Sequence, residues 1–103
     1  MKHSVTNEGD HLSLHVAGEL DALTCSDLRP TLDSIAEQSG RNVTVDLQGL
    51  RLIDSSGVGA LVSLYKRVRA KGGNVEFVNV ANQPLAIFKL LRLDLVFGLD
   101  VSP

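Results

Sequence analysis

Val43-Thr44-Val45-Asp46-Leu47-Gln48-Gly49-Leu50-Arg51-Leu52-Ile53-Asp54-Ser55-Ser56-Gly57-Val58-Gly59 is the stretch whose reading sets the fold. Its first five residues are β-branched or apolar at alternate positions and bounded by Asn42 and Gln48-Gly49, so they read as a strand. Leu50 to Ile53 leads into the polar run Asp54-Ser55-Ser56-Gly57. From Val58 the spacing becomes helical, with Val58, Leu61, Val62, Tyr65 and Val68 on one apolar stripe. Lys66, Arg67, Arg69 and Lys71 crowd the last turns, where cations complement the helix dipole, and Gly72-Gly73 ends the helix. A strand that feeds a helix through a short polar turn is the repeating unit of layered α/β domains.

The same pattern extends in both directions. Upstream, His11 to Ala17 alternates, with Leu12, Leu14 and Val16 on one face and His11, Ser13 and His15 on the other, as a half-buried strand does. Glu8-Gly9-Asp10 reads as a turn, and Ser4 to Asn7 as a short edge strand before it. Gly18-Glu19-Leu20-Asp21 reads as a loop. Leu28, Leu32, Ile35 and Ala36 then mark a helix capped by Thr24 or Ser26, with Gly40 past its end. Pro30 is awkward inside it, so the helix is expected to begin near Ser26 or to bend. Downstream, Asn74 to Val80 reads as a strand, and Asn82 as the cap of a helix with Pro84 in its first turn. Val96 to Leu99 reads as one more short strand. The succession predicts an α/β sandwich with a parallel or mixed sheet.

Composition narrows the function classes. A chain of 103 residues with 44% apolar residues is expected to form one domain around one core. A formal net charge of −2 offers no broad basic field for nucleic acid or anionic membrane. The single Cys25 has no partner for an internal disulfide, which fits a reducing compartment. Met1-Lys2-His3-Ser4 runs into polar residues with no apolar secretory core, and no apolar run approaches the roughly 20 residues of a membrane span. The expectation is a cytoplasmic, soluble protein without membrane insertion or direct nucleic-acid binding.

The chemistry centres on Asp54-Ser55-Ser56-Gly57-Val58-Gly59, between a strand end and a helix start. Functional sites in α/β sheets favour this place. A helix start carries free N–H groups and about half a positive charge, so it welcomes an anion. Gly57 and Gly59 leave the first turn bare, open to another backbone. A plain cap by Asp54, Ser55 or Ser56 accounts for the same residues. The segment lacks the Lys of a phosphate-binding P-loop, and neither serine sits in Gly-x-Ser-x-Gly. The only histidines are His3, His11 and His15. His3 is expected in a frayed terminus, and His11 and His15 stand roughly 13 Å apart along one strand, too far for one zinc. No catalytic residue, metal or cofactor is expected.

The sequence resembles the STAS-domain anti-sigma factor antagonists, or anti-anti-sigma factors. The likeness is carried by Ala17-Gly18-Glu19-Leu20-Asp21, by Val45-Asp46-Leu47 through Ile53-Asp54-Ser55-Ser56-Gly57-Val58-Gly59, and by Ala70-Lys71-Gly72-Gly73 before Val75-Glu76-Phe77-Val78. The region from Pro84 to Phe97 is similar to the family's late helix and final strand. The resemblance implies a STAS-like single domain over residues 1–103, with a mixed sheet of four to five strands packed against three or more α-helices. It implies a partner switch. The unphosphorylated chain binds a GHKL-type serine kinase that is also an anti-sigma factor, phosphorylation of Ser55 releases it, and a PP2C-type phosphatase resets the cycle. ATP and Mg²⁺ belong to the kinase. Partner contacts fall on Asp21, Asp54, Ser56, Gly57, Val58 and Gly59. Family members commonly carry a further C-terminal helix, which here is expected to be missing or reduced. Other STAS domains serve without phosphorylation as subunits of membrane transport or lipid-trafficking complexes, the alternative class for this chain.

Overall fold

The computed structural model describes residues 1–38 and 40–99. Four strands form one mixed sheet: β1 (Lys2–Glu8), β2 (His11–Leu20), β3 (Asn42–Ile53) and β4 (Asn74–Val78), in the spatial order β1-β2-β3-β4. β1 and β2 are an antiparallel hairpin, whereas β2–β3 and β3–β4 pair in parallel. Parallel neighbours need a crossover, and α1 (Ala22–Ala36) and α2 (Ser55–Ala70) supply the two crossovers. After β4 come α3 (Asn82–Leu90) and the single turn α4 (Leu93–Val96).

The alternation in the strands decides which face is covered. Leu12, Leu14, Val16, Val43, Val45, Leu47, Val75 and Phe77 point inward and are buried. They meet Leu28, Leu32, Ile35 and Ala36 of α1 and Val58, Leu61, Leu64 and Val68 of α2. The α2 stripe differs from the expected one: Leu64 is buried, while Val62 and Tyr65 are half-buried at its margin.

Several boundaries depart from the sequence reading, among them those of β1, which starts at Lys2, and β4, which stops at Val78 rather than Val80. Gly18 to Leu20 remains strand, because Gly18, Glu19 and Leu20 pair with Leu50, Leu52 and Ile53 across two register shifts. That pairing also carries β3 on to Ile53. Helix α1 begins at Ala22, not near Ser26, because Asp21 and Thr24 form a reciprocal capping box. Pro30 lies within it on an exposed side, where solvent reaches the Ser26 carbonyl that the proline leaves without a donor. Ala81, not Asn82, occupies the N-cap of α3, and no side chain caps that helix.

Val96 to Leu99 forms no strand: Val96 closes α4 and Gly98 turns with φ +67°. Phe97 is instead drawn inward, stacked on Phe77 with centroids 4.1 Å apart and meeting Tyr65 edge-on at 5.1 Å. The Tyr65 hydroxyl donates to the Val96 carbonyl at 3.1 Å. This aromatic cluster uses the residues that a fifth strand would have needed.

Candidate functional site

Parallel pairing places two helix starts side by side. Leu20 and Ile53 are register partners at the ends of β2 and β3, so the residues that follow them, Asp21 and Asp54, adjoin. Asp21 caps α1: its Oδ1 accepts from the N–H groups of Leu23 at 3.0 Å and Thr24 at 2.9 Å. The Thr24 hydroxyl oxygen accepts from the Asp21 N–H at 2.9 Å. These bonds, led by the one from the Thr24 N–H, hold the Asp21 carboxyl below its ordinary value.

Asp54 serves both helices. Its Oδ1 accepts from the Gly57 N–H at 3.0 Å, the N-cap bond of α2, and its Oδ2 accepts from the Ala22 N–H of α1 at 3.2 Å. Its own N–H donates to the Leu20 carbonyl at 3.1 Å. The cap that sequence leaves open among three residues is therefore Asp54. The hydroxyls of Ser55 and Ser56 make no hydrogen bond among the described residues, and both side chains are exposed.

The remaining motif residues divide by exposure. Gly59 is exposed, with nothing within 4 Å of where a Cβ would stand. Gly57 and Val58 are buried and face the core. A Cβ at Gly57 would lie 2.6 Å from the Leu20 carbonyl oxygen and 2.7 Å from Ile53 Cγ1. The close approach expected at Gly57 is made by the chain's own β2–β3 end.

Gln83 is a contributor that sequence reasoning missed. Beyond Asp46↔Val78, β4 no longer covers β3. Gln83 of α3 fills that place: its Oε1 accepts from the Ile53 N–H at 2.9 Å and its Nε2 donates to the Ile53 carbonyl at 3.0 Å. One amide thus imitates a strand neighbour for the residue before Asp54. No local pattern marks Gln83 for this. Thr24 did carry a signal, since it lies three residues after Asp21, the spacing of a capping box.

The histidines lie away from Ser55. His3 is paired within β1 opposite Val16, not frayed, and its Nε2 lies 3.1 Å from the Thr31 hydroxyl. His11 Nε2 lies 3.1 Å from the Thr44 hydroxyl, and His15 Nδ1 lies 3.4 Å from Asp46 Oδ2. Burial raises the Asp46 carboxyl, but bonds from the Gln48 N–H and the Asn79 amide, with His15 beside it, outweigh burial and leave it below its ordinary value. Burial pushes the Cys25 thiol up, away from the thiolate form. No group of three or more potential metal ligands occurs among the described residues. Three of the four basic residues closing α2 have structural partners. Arg67 donates to Asp33 at 2.8 Å, Lys71 to the Glu37 carbonyl at 3.1 Å, and Arg69 lies over the Tyr65 ring at 5.4 Å.

A mixed four-stranded sheet backed by two crossover helices, with paired acidic caps and an exposed serine pair at one end, defines a STAS-type α/β module. The family model described as "Mlab, STAS domain" matches residues 3–99, and the chain belongs to that family. It is 31% identical over 87 residues to the anti-sigma-B factor antagonist of Bacillus subtilis, an alignment covering 84% of this chain and 78% of that protein. The crystal structure of an anti-sigma factor antagonist from Mycobacterium paratuberculosis superposes with a TM-score of 0.81 at 20% identity, covering 98% of this chain and 86% of that one. The Bacillus cell fate determinant SpoIIAA in its phosphorylated form superposes with a TM-score of 0.73 at 19% identity, over 89% and 85% of the two chains. No helix among the described residues is long and apolar enough to cross a membrane.

Proposed function

We infer that this chain is an anti-sigma factor antagonist whose binding is switched at Ser55. Its partner in this reading is a GHKL-type serine kinase that is also an anti-sigma factor. The unphosphorylated chain captures that partner, phosphorylation releases it, and a PP2C-type phosphatase restores the binding form. The chain itself acts as a binding module rather than an enzyme. The observation that carries the reading is the division of labour at the start of α2. Asp54 holds the helix, and the Ser55 hydroxyl next to it is exposed and uncommitted.

That division makes the fold tolerant of a phosphate and an interface intolerant of it. A phosphoserine adds about −1.5 to −2 charges. At the first position of α2 the helix dipole favours that charge by about 0.3–1 kcal/mol. A docked protein would have to bury the same charge beside Asp54 and Asp21. One like-charged pair at about 4 Å costs about 4 kcal/mol at an effective dielectric of 20. A net loss of about 2.8 kcal/mol already weakens binding about a hundredfold. In this reading the contact surface is formed by the exposed Asp54, Ser55, Ser56 and Gly59, with Asp21 at its border. Gly57 and Val58 support it from beneath.

The test is titration of Ser55→Ala and Ser55→Asp against each GHKL-type serine kinase of the source organism, purified singly. Ser55→Ala should bind one of them about a hundredfold more tightly than Ser55→Asp. The same kinase with ATP and Mg²⁺ should phosphorylate the unaltered chain at Ser55, read by mass spectrometry. Indistinguishable binding of the two variants to every kinase would end this reading.

A further inference from the structure

Two large apolar side chains stand exposed around the Asp21–Asp54 pair. Leu23, the second residue of α1, is 80% exposed, the highest among the large apolar residues described, and Leu52 of β3 is 47% exposed. Single exposed leucines are ordinary on a protein surface. These two are distinguished by how firmly they are held. The Leu23 N–H donates to Asp21, and the preceding Ala22 N–H donates to Asp54, so both helix starts pin its backbone. Leu52 pairs with Glu19 and precedes Ile53, which Gln83 clasps on both its N–H and its carbonyl. Leu52 lines a groove with Glu19, Asp21, Asp54 and Gln83. Neither leucine fills the core, and a partner that covers them meets side chains on an already ordered backbone.

We propose that Leu23 and Leu52 are the apolar anchors of the partner interface, and that the dry contact they create gives a charge at Ser55 its leverage. This rests on the reading of Ser55 as the switch. The occupant is the kinase-type protein that reads Ser55, through a surface with apolar pockets for the two leucines. The contact is continuous with the switch, because Asp54 joins the Leu23 end of α1 to the Ser55 end of α2. An anionic lipid surface fits poorly, since Glu19, Asp21 and Asp54 line the groove with Leu52. In a wet, polar contact an added charge is screened and costs little. In a desolvated contact the phosphate must shed its water without a compensating partner. Removing a leucine should therefore weaken the unphosphorylated complex and also shrink the penalty of a charge at position 55.

The experiment is a double-mutant cycle by titration calorimetry, with the kinase that binds Ser55→Ala as the probe. Leu23→Ala and Leu52→Ala should each weaken binding of the Ser55→Ala chain about tenfold to a hundredfold, the range for burying a leucine. In either background the ratio of dissociation constants between Ser55→Asp and Ser55→Ala should fall about tenfold. Leu90→Ala, 77% exposed and seven residues along α3 from Gln83, should bind as the unaltered chain does. Unchanged binding by both leucine variants, with Ser55→Asp still released, overturns the anchors and leaves the switch standing. An unchanged ratio overturns the leverage, and equal weakening by Leu90→Ala overturns the site. Equal binding of Ser55→Ala and Ser55→Asp removes the switch itself, a separable outcome. Thermal melts of the leucine variants should match the unaltered chain, and a loss of several degrees would overturn their lack of a folding role.

Discussion

Two glycines in one helix should respond to the same substitution with opposite signs. Gly57 and Gly59 lie two residues apart in α2, and both gain helix propensity when replaced by alanine, about 1 kcal/mol each. At Gly59 nothing stands within 4 Å of the new Cβ, so that gain should appear in full. At Gly57 the Cβ would meet the Leu20 carbonyl oxygen at 2.6 Å, Ile53 Cγ1 at 2.7 Å and Leu20 Cγ at 2.9 Å. The carbonyl has little freedom to retreat, because the Asp54 N–H donates to it and Leu20 is paired in the sheet. Overpacking of this kind costs about 1–3 kcal/mol, which exceeds the propensity gain at most of its range. The propensity gain is common to both, so the two variants should differ by the overpacking cost, about 1–3 kcal/mol, with Gly59→Ala above the unaltered chain and Gly57→Ala below it. For a chain of this size each kcal/mol moves the midpoint by about 4–8 °C, so a gap of about 4–24 °C is expected. Thermal melts followed by far-ultraviolet circular dichroism, repeated as urea titrations, measure it. A Gly57→Ala chain melting at or above the unaltered one would refute the packing of α2 on the β2–β3 end.

Three further outcomes follow from other contacts. Gln83→Ala should cost about 1–3 kcal/mol in urea titrations, because it orphans the N–H and carbonyl of the buried Ile53. Gln83→Glu should recover part of that loss at low pH, where its carboxyl can donate, and less at neutral pH, where it repels the Ile53 carbonyl. Asp46 has its folded value lowered, so its stabilisation is present above the free-carboxylate value near pH 4 and is lost as pH falls through the lowered folded value. Asp46→Asn should flatten that acid limb of a stability-against-pH profile, and an unchanged limb would contradict the assignment. Pro30→Ala restores a donor to the Ser26 carbonyl inside α1 and should raise stability by about 1–2 kcal/mol, read as a higher melting midpoint.

The core was legible because burial follows simple periods. Leu12, Leu14 and Val16 alternate on β2, and Leu28, Leu32 and Ile35 repeat at helical spacing on α1. Helix ends were less so. Pro30 argued for a late start of α1, yet the four bonds among Asp21, Leu23 and Thr24 outweigh it at the first turn. At the C-terminal end, Val96 to Leu99 has strand-like composition, but the rings of Tyr65, Phe77 and Phe88 offered Phe97 a better burial than a sheet edge. The candidate site was legible in its residue types and in the likeness carried by Asp54-Ser55-Ser56-Gly57. Its inner wiring was not.

The sequence by itself determined the order of elements from β1 to α3, the polar turn from Ile53 into α2, and the family. Those depend on near neighbours: alternation, spacing and caps are properties of ten or so consecutive residues. The tertiary structure alone decided that Asp54 holds two helices, that Gln83 clasps Ile53, and that Gly57 is closed by Leu20 while Ser55 stays open. The physical reason is register. These contacts join residues about thirty positions apart: the shared cap and the closing of Gly57 exist because β2 and β3 run in parallel with Leu20 beside Ile53, and the Gln83 clasp because β4 stops pairing with β3 at Asp46↔Val78. A shift of one residue would turn every side chain on those strands to the opposite face and part the two caps.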